Sequence, residues 1–438
     1  MLPIASLLAR FADKTLLNLG GTDRSFAAIA ETAERIASHL AEMPDTPFVV
    51  CECSDVERYI SVFCACVMAD RTIVPFSTQK FAFEDLSDAL PSFAYIDETG
   101  ALSMHGGSGS AQRKAGDVYC LFTSGTTGKP KGILVNAGNL QAYVEGISAF
   151  IPEYRTARNI SAVFSPLFDL FYHDLLLAIT HGLTLQVPTP RQRMTMADFV
   201  TERQIDVWFS TPTQAANILA ARARNAAAST AAPQRSIPLS LFCGERLGAS
   251  LAMDWAHSMH GDVINVYGPT ETTIACTGER LDMSVLDKDS DVSIGVPFGK
   301  NTAAISDHGT LLISGPQVAR YLHSTEVSFF DTKDLVKQEG GKYYFLGRAD
   351  GQLKIKGLRI EKEELERVAC GVPGVRYAKI QPIQNAGLVT GFNVLVVGDA
   401  PARLISEAYK KRYGASLVPS GIQIVEEFET GTSGKAKV

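Results

Sequence analysis

Residues 121–132 read LFTSGTTGKPKG, which sets glycines at 125, 128 and 132 among four hydroxyl side chains and two lysines, directly after the apolar run DVYCLF. Backbone amides, hydroxyls and ammonium groups on a supple loop are the donors that polyphosphate oxygens require. The spacing is not that of G-x-x-x-x-G-K-[ST]: Pro130 follows Lys129 where Ser or Thr should stand, and a helix cannot comfortably start inside KPKG. A dinucleotide G-x-G-x-x-G is also absent. What remains is a loop suited to ATP, with a plain Gly/Ser/Thr hairpin turn as the alternative.

Further stretches carry groups of matching chemistry. In NVYGPTETT (265–273), Tyr267 offers a ring to a purine, and Thr270 and Glu271 follow in a turn after a strand. One carboxylate plus substrate phosphates is a usual way to hold Mg2+. Asp334 in DTKDL is an acceptor-only group suited to paired ribose hydroxyls, with Arg348 in GRAD as a possible companion and a surface ion pair as the alternative. Lys435, in TSGKAK near the end of the sequence, reads by position alone as part of a frayed tail. The pairs Cys51/Cys53 and Cys64/Cys66 suggest metal binding only weakly. FVVCEC and YISVFCACVMA are apolar like a buried strand and a buried helix, and no H-x-x-x-H pair occurs.

Taken in order, TSGTTGKPKG, FDLFYHDLL, NVYGPTETT, DTKDL, GRADGQLKIKGLRIE and TSGKAK resemble the motifs of the adenylate-forming superfamily, which includes acyl-CoA synthetases, luciferases and the adenylation domains of nonribosomal peptide synthesis. The resemblance spans residues 119–437; the first hundred residues match in texture only. It implies an α/β fold with a large N-terminal adenylate-forming domain of layered sheets, 1–349, and a small mobile C-terminal α+β domain, 350–438, hinged at Asp350. It implies that ATP is held by Thr123, Ser124, Gly125, Thr126, Thr127, Gly128 and Lys131, by Gly244 and Glu245, and by Tyr267, Gly268, Asp334 and Arg348. Thr270 would meet the α-phosphate and Glu271 would bind Mg2+. Lys435 would bridge the substrate carboxylate and the α-phosphate, while Lys129 and Lys131 aid the departing pyrophosphate.

The substrate follows from one departure. Acyl-CoA members commonly read P-L-F-H where this chain reads SPLFD, so the position carries Asp169. In amino-acid-activating members an Asp here holds the α-ammonium, and a carboxylate lining an apolar pocket needs a cation; a helix cap is the alternative. By the same carry-over Leu170, His173, Thr213, Leu241, Cys243, Val266, Ile274 and Ala275 surround the side chain. LFCGE resembles the corresponding segment of D-alanine carrier-protein ligases, so a small amino acid such as alanine is expected. His173 either reads a polar substrate group or is a satisfied core histidine. The sequence stops just past Lys435, so the acceptor thiol is expected on the phosphopantetheine of a separate carrier protein, for which Lys410, Lys411 and Arg412 are a candidate dock or simply a solvated helix face.

Other departures touch no group given a chemical role: Ala137 where relatives often carry His, Phe171 where Ser is common, and QVARYL without the glycine usual before its tyrosine. The rival readings are a CoA ligase for a small or aromatic acid and a silent binding protein that senses nucleotide or carrier.

The elements that must position these groups are legible as periodicity. Phe26, Ile29, Ala30, Ala33, Ile36, Ala37 and Leu40 share one helical face, and FVVCE, TIVPF, DVYCLFT, NISAVFS, LTLQVP, DVWFS, LSLFC and DVINVYG read as strands separated by helix-length segments. MHGGSGSAQRKAGD and RNAAASTAAPQRS read as exposed connections. From residue 351 the pattern reads strand, helix, two strands, helix, strand. With 438 residues, 46% hydrophobic and 20% charged, the chain can bury a large core in two or more domains. The overall charge is −6, but residues 350–438 carry 13 Lys+Arg against 10 Asp+Glu. No run reaches the roughly 20 apolar residues of a membrane helix and the N-terminus lacks a signal pattern, so a cytoplasmic protein without nucleic-acid or membrane partners is expected.

Overall fold

The computed structural model describes residues 3–43, 45–78, 83–123, 131–228, 236–287, 290–324, 327–349, 353–355, 358–360, 362–385 and 388–425. Two large sheets carry the first two thirds of the chain. In one, strands Asp262–Tyr267, Leu239–Phe242, Val207–Ser210, Asn159–Ser161, Thr184–Val187 and Thr15–Leu19 lie side by side and all parallel. Thr277–Arg280 then pairs antiparallel with Asp262–Tyr267. VWFS and LSLF are buried at every position, as strands covered on both faces must be, which is why they read as continuous apolar runs and not as alternation.

The second sheet runs Arg320–Tyr321, Lys131–Asn136, Asp117–Thr123, Thr72–Phe76, Phe48–Glu52, Ser92–Ile96 and Leu102–Gly106. Helices Val56–Met68 and Leu170–His181 are apolar nearly all round and correspondingly buried. Tyr172 ties helix to sheet: its ring stacks on Tyr119 with centroids 4.0 Å apart, and its hydroxyl meets that of Tyr59 at 2.5 Å. The cysteines behave as small hydrophobes. Seven of the eight are buried and burial pushes the Cys64 thiol up to about 12. Among the described residues no group of His, Cys, Asp and Glu could by itself hold a metal ion.

A four-stranded antiparallel sheet, Thr302–Ile305, Thr310–Ser314, Phe329–Glu339 and Lys342–Arg348, follows and builds a separate small core with Tyr267, Cys276 and Ile294. Beyond it, helices Lys362–Cys370 and Ala402–Tyr413 pack with the three-stranded sheet Val375–Asn385, Leu388–Gly398 and Gly421–Val425 around Leu365, Ile380, Val394 and Tyr409. Three expectations need correction here. The single strand expected first is a hairpin of Leu353–Ile355 with Leu358–Ile360. MHG belongs to an edge strand, Leu102–Gly106, not to a connection. Helix Pro212–Ala228 runs into the alanine-rich stretch, because alanine is the best helix former and overrides the look of low complexity. Among the described residues no helix is long and apolar enough to cross a membrane.

One buried ion pair joins two strands of the second sheet that are far apart in sequence. Arg320, 5% exposed, donates to Asp117, 3% exposed, and the same carboxylate accepts the Lys114 amide at 2.7 Å. Breaking such a pair from one side strands a charge in the core. R320M is therefore expected to lose about 3–5 kcal/mol in urea unfolding, and D117N/R320M to recover most of it. A loss under about 1 kcal/mol for R320M would contradict this account.

Candidate active site

The motif NVYGPTETT forms the joint between the large sheet and the small one. Strand Asp262–Tyr267 delivers Tyr267 at its end, a single 3-10 turn Thr270–Thr272 follows, and the chain returns antiparallel so that Tyr267 faces Thr277. The return is so tight that a Cβ on Gly268 would lie 2.6 Å from the Ala275 Cα. It also forces Thr273 and Ile274 to φ of 57° and 71°, a region that β-branched residues avoid at about 1–3 kcal/mol each. Such strain persists only where surroundings over-determine it, and here the whole turn from Glu271 to Cys276 is buried. The Ala319 amide donates to the Glu271 carbonyl at 2.8 Å, and the Tyr321 hydroxyl donates to Glu271 Oε1 at 3.2 Å. Glu271 itself is 4% exposed. A hard carboxylate held on such a turn suits a cation that takes its remaining ligands from phosphates and water, which is what Mg2+ favours.

Beside the turn lies a cleft of about 400 Å3 bordered by Gly244, Glu245, Tyr267, Gly268 and Arg348, with Lys362 from the C-terminal layer among its walls. Five residues expected to meet a nucleotide are thus brought together. Asp334 stands directly behind them, placed opposite Arg348 by strand register. Its carboxylate accepts the Tyr267 hydroxyl at 2.5 Å and the Arg348 guanidinium at 2.7 Å, so it braces the cleft's aromatic wall. Burial and this carboxylate together keep the Tyr267 phenol protonated. Glu245 is likewise engaged, accepting the Thr213 amide at 3.0 Å and its hydroxyl at 2.6 Å.

The glycine-rich loop leaves the second sheet at Thr123 and re-enters at Lys131, which sit opposite each other in register. Residues 124–128, Lys129, Asp350 and Lys435 lie outside the described residues, as does the side chain of Thr123.

Asp169 occupies the first boundary position of helix Leu170–His181 with helical dihedrals of −62° and −27°, and its side chain does not cap that helix. The capping alternative is thereby removed. The carboxylate is partly buried near Tyr119, Tyr143 and Tyr172, whose phenols are held protonated by burial with its charge adding to the effect. The expected substrate walls do not fall in one open cavity. Leu170 and Thr213 border a cleft of about 670 Å3 that also reaches Phe168 and Arg193, and Val266 lines the 400 Å3 cleft beside the turn. His173, Leu241, Cys243, Ile274 and Ala275 are at most 1% exposed.

Of the two alternatives for His173, the structure favours the satisfied core residue. Its Nδ1 meets the Tyr143 hydroxyl at 2.5 Å, its Nε2 meets the Tyr154 hydroxyl at 3.0 Å, and its ring packs on Phe209. Both tyrosines lie outside the motifs, so motif reading could not have found them. Tyr321 and Gln317 belong to QVARYL, a stretch that draws attention in the sequence only for a missing glycine.

Residues 83–322 match the family model described as AMP-binding enzyme, and the chain belongs to that family. It is 34% identical over 275 residues to the D-alanine–D-alanyl carrier protein ligase of Bacillus licheniformis, covering 57% of this chain and 53% of that protein. The ligase of the same name from Bacillus velezensis is 30% identical over 339 residues, 68% of this chain and 64% of the relative. The aligned region thus spans between half and two thirds of these relatives. Among solved structures, the Vibrio cholerae adenylation domain AlmE, determined with glycyl-adenosine-5'-phosphate, superposes with a TM-score of 0.80 at 22% identity, covering 99% of this chain and 95% of that one. The expected layered α/β architecture with a smaller C-terminal part is therefore the observed fold.

Burial lowers the His173 pKa to about 3, while an unfolded histidine titrates near 6.5. The neutral ring's contribution to stability is fully present above about pH 6.5 and is lost as pH falls toward the folded value, by up to about 1.4 kcal/mol per pH unit. Asp174, buried beside it with its pKa raised, acts in the opposite sense but is common to wild type and H173Q. Chemical unfolding from pH 7 to 4 should show the stability gap between wild type and H173Q narrowing as pH falls; a constant gap would contradict a buried neutral histidine.

Proposed function

We propose that this chain activates a small, alanine-like amino acid as its adenylate at the expense of ATP, then passes the aminoacyl group to the phosphopantetheine thiol of a separate carrier protein. A substrate carboxylate oxygen attacks the α-phosphorus, the bond from that phosphorus to the bridging oxygen breaks, and pyrophosphate leaves. The thiol sulfur next attacks the acyl carbon, AMP departs, and the thiol proton passes to solvent. The single observation that carries the amino-acid reading is Asp169: a partly buried carboxylate among protonated tyrosines, at a helix start it does not cap. A free α-ammonium is the cation that such a group calls for. The D-alanine specificity in the names of the two relatives supports a small side chain, as does the close burial of Cys243, Ile274 and Ala275.

In this reading Tyr267 flanks adenine, Arg348, braced from behind by Asp334, meets the ribose, Thr270 donates to the α-phosphate, and Lys435 neutralises charge as it develops between carboxylate and phosphorus. Mg2+, when bound, would screen the phosphate oxygens, with Glu271 as its protein ligand. Residues 1–349 and 350–438 act as two domains hinged at Asp350. The exposed Lys410, Lys411 and Arg412 face an acidic carrier, so salt should slow transfer to the carrier more than it slows adenylation.

Amino-acid-dependent ATP/pyrophosphate exchange across the common amino acids, with both alanine enantiomers, tests this. A small amino acid should drive exchange, and D169A should lose it by about 30-fold or more in kcat/KM, the scale of leaving a charge unpaired. Exchange with a simple carboxylate and none with amino acids would instead favour the CoA-ligase reading. K435A should remain folded and lose adenylation by about 100-fold or more; an unchanged rate would contradict its role.

A further inference from the structure

The strained turn is held by one side chain that no motif marks. Gln317 is fully buried on the segment between Thr310–Ser314 and Arg320–Tyr321. Its amide nitrogen donates toward the carbonyls of Thr272 at 3.2 Å, Thr273 at 3.2 Å and Ala275 at 2.7 Å. These carbonyls flank the two left-handed residues, where the chain has left any ladder that could serve them. Asn301 Nδ2 donates to Gln317 Oε1 at 2.5 Å, which sets the amide's orientation, because the flipped amide would aim oxygen at three carbonyls. The backbone of the same residue takes part: the Thr273 hydroxyl donates to the Gln317 carbonyl at 2.6 Å. Asn139 pins the segment from the far side, donating to the carbonyls of Pro316 at 2.7 Å and Val318 at 3.2 Å. Two residues along, the Ala319 amide holds the Glu271 carbonyl, and Tyr321 reaches the Glu271 carboxylate.

We propose that Gln317 is a positioning residue: its amide fixes the turn so that Thr270 and Glu271, on the nucleotide side, and Ile274 and Ala275, on the amino-acid side, are registered to each other by a single group. The inference rests on the functional reading above. Loss of the amide lets the left-handed pair relax, and both halves of the site move together. A side chain that merely filled space would be replaceable by an apolar one of similar shape, and its loss would lower melting temperature without touching ligand dependence.

Q317M keeps length and approximate volume but removes every donor. Calorimetry of ATP binding at varied Mg2+, thermal melting, and exchange kinetics are measured for wild type, Q317M and the milder N301A, in which the amide survives but loses its orienting partner. For Q317M the Mg2+ needed for half-maximal ATP binding should rise by about fivefold or more, the scale of one hydrogen bond. Exchange kcat should fall and the amino-acid KM rise in the same variant. N301A should shift both in the same direction by less, and it decides the matter if Q317M does not fold. Unchanged Mg2+ dependence together with unchanged exchange overturns the proposal, as does a shift on only one side of the site. A wild-type chain that binds Mg·ATP but exchanges with no amino acid overturns the functional reading alone, since the Mg2+ titration still tests the brace. Wild type that binds no Mg·ATP overturns both.

Discussion

The candidate site depends first on the return of the backbone after Tyr267. Within a few residues it must leave a parallel strand, set a threonine and a glutamate on a single 3-10 turn, and come back antiparallel to the same strand. That is achieved only with two β-branched residues in the left-handed region and with a glycine where any Cβ would strike Ala275. The small sheet, the Ala319–Glu271 bond and the Gln317 amide all exist at this joint, and they supply what keeps a locally unfavourable conformation in place. Pre-organisation of this kind matters because a phosphoryl group in transfer is stabilised by donors and charges that are already in position.

Charge placement follows a second rule. Two buried carboxylates are paired with arginines: Asp117 has Arg320, and Asp334 has Arg348 and a phenol. Asp174 is different, since neither of its oxygens has a hydrogen-bond partner among the described residues, and burial raises its pKa so that it stays neutral. Asp169 lies between these cases, partly buried and not spent on capping its helix. Its charge reaches Tyr119, Tyr143 and Tyr172, whose buried phenols it helps to keep protonated.

The parallel strands were legible in the sequence because burial on both faces writes them as unbroken apolar runs, as in VWFS and LSLF. The cysteine pairs could be assigned to core for the same reason. The convergence of separated motifs was legible too: Gly244, Glu245, Tyr267, Gly268 and Arg348, from three separate stretches, border one cleft. Contacts made across the fold were not. That Tyr143 and Tyr154 satisfy His173, or that Gln317 spans the turn, depends on tertiary approach between elements far apart in sequence, and no local pattern encodes it. The edge strand at Leu102–Gly106 and the helix running into the alanine-rich stretch were misread because glycine-rich and alanine-rich composition resembles a loop until neighbours and propensity are weighed.

The central claim is that a zwitterion is gripped by Asp169 while its carboxylate is aimed at a phosphorus held by the Thr270 turn. A crystal structure with a sulfamate analogue of alanyl adenylate, in which the sulfamoyl group stands in for the α-phosphate ester, tests it most directly. The account predicts the α-ammonium within about 3 Å of the Asp169 carboxylate and the adenine beside Tyr267. An ammonium turned toward other groups, with Asp169 bonded only to protein, would contradict it.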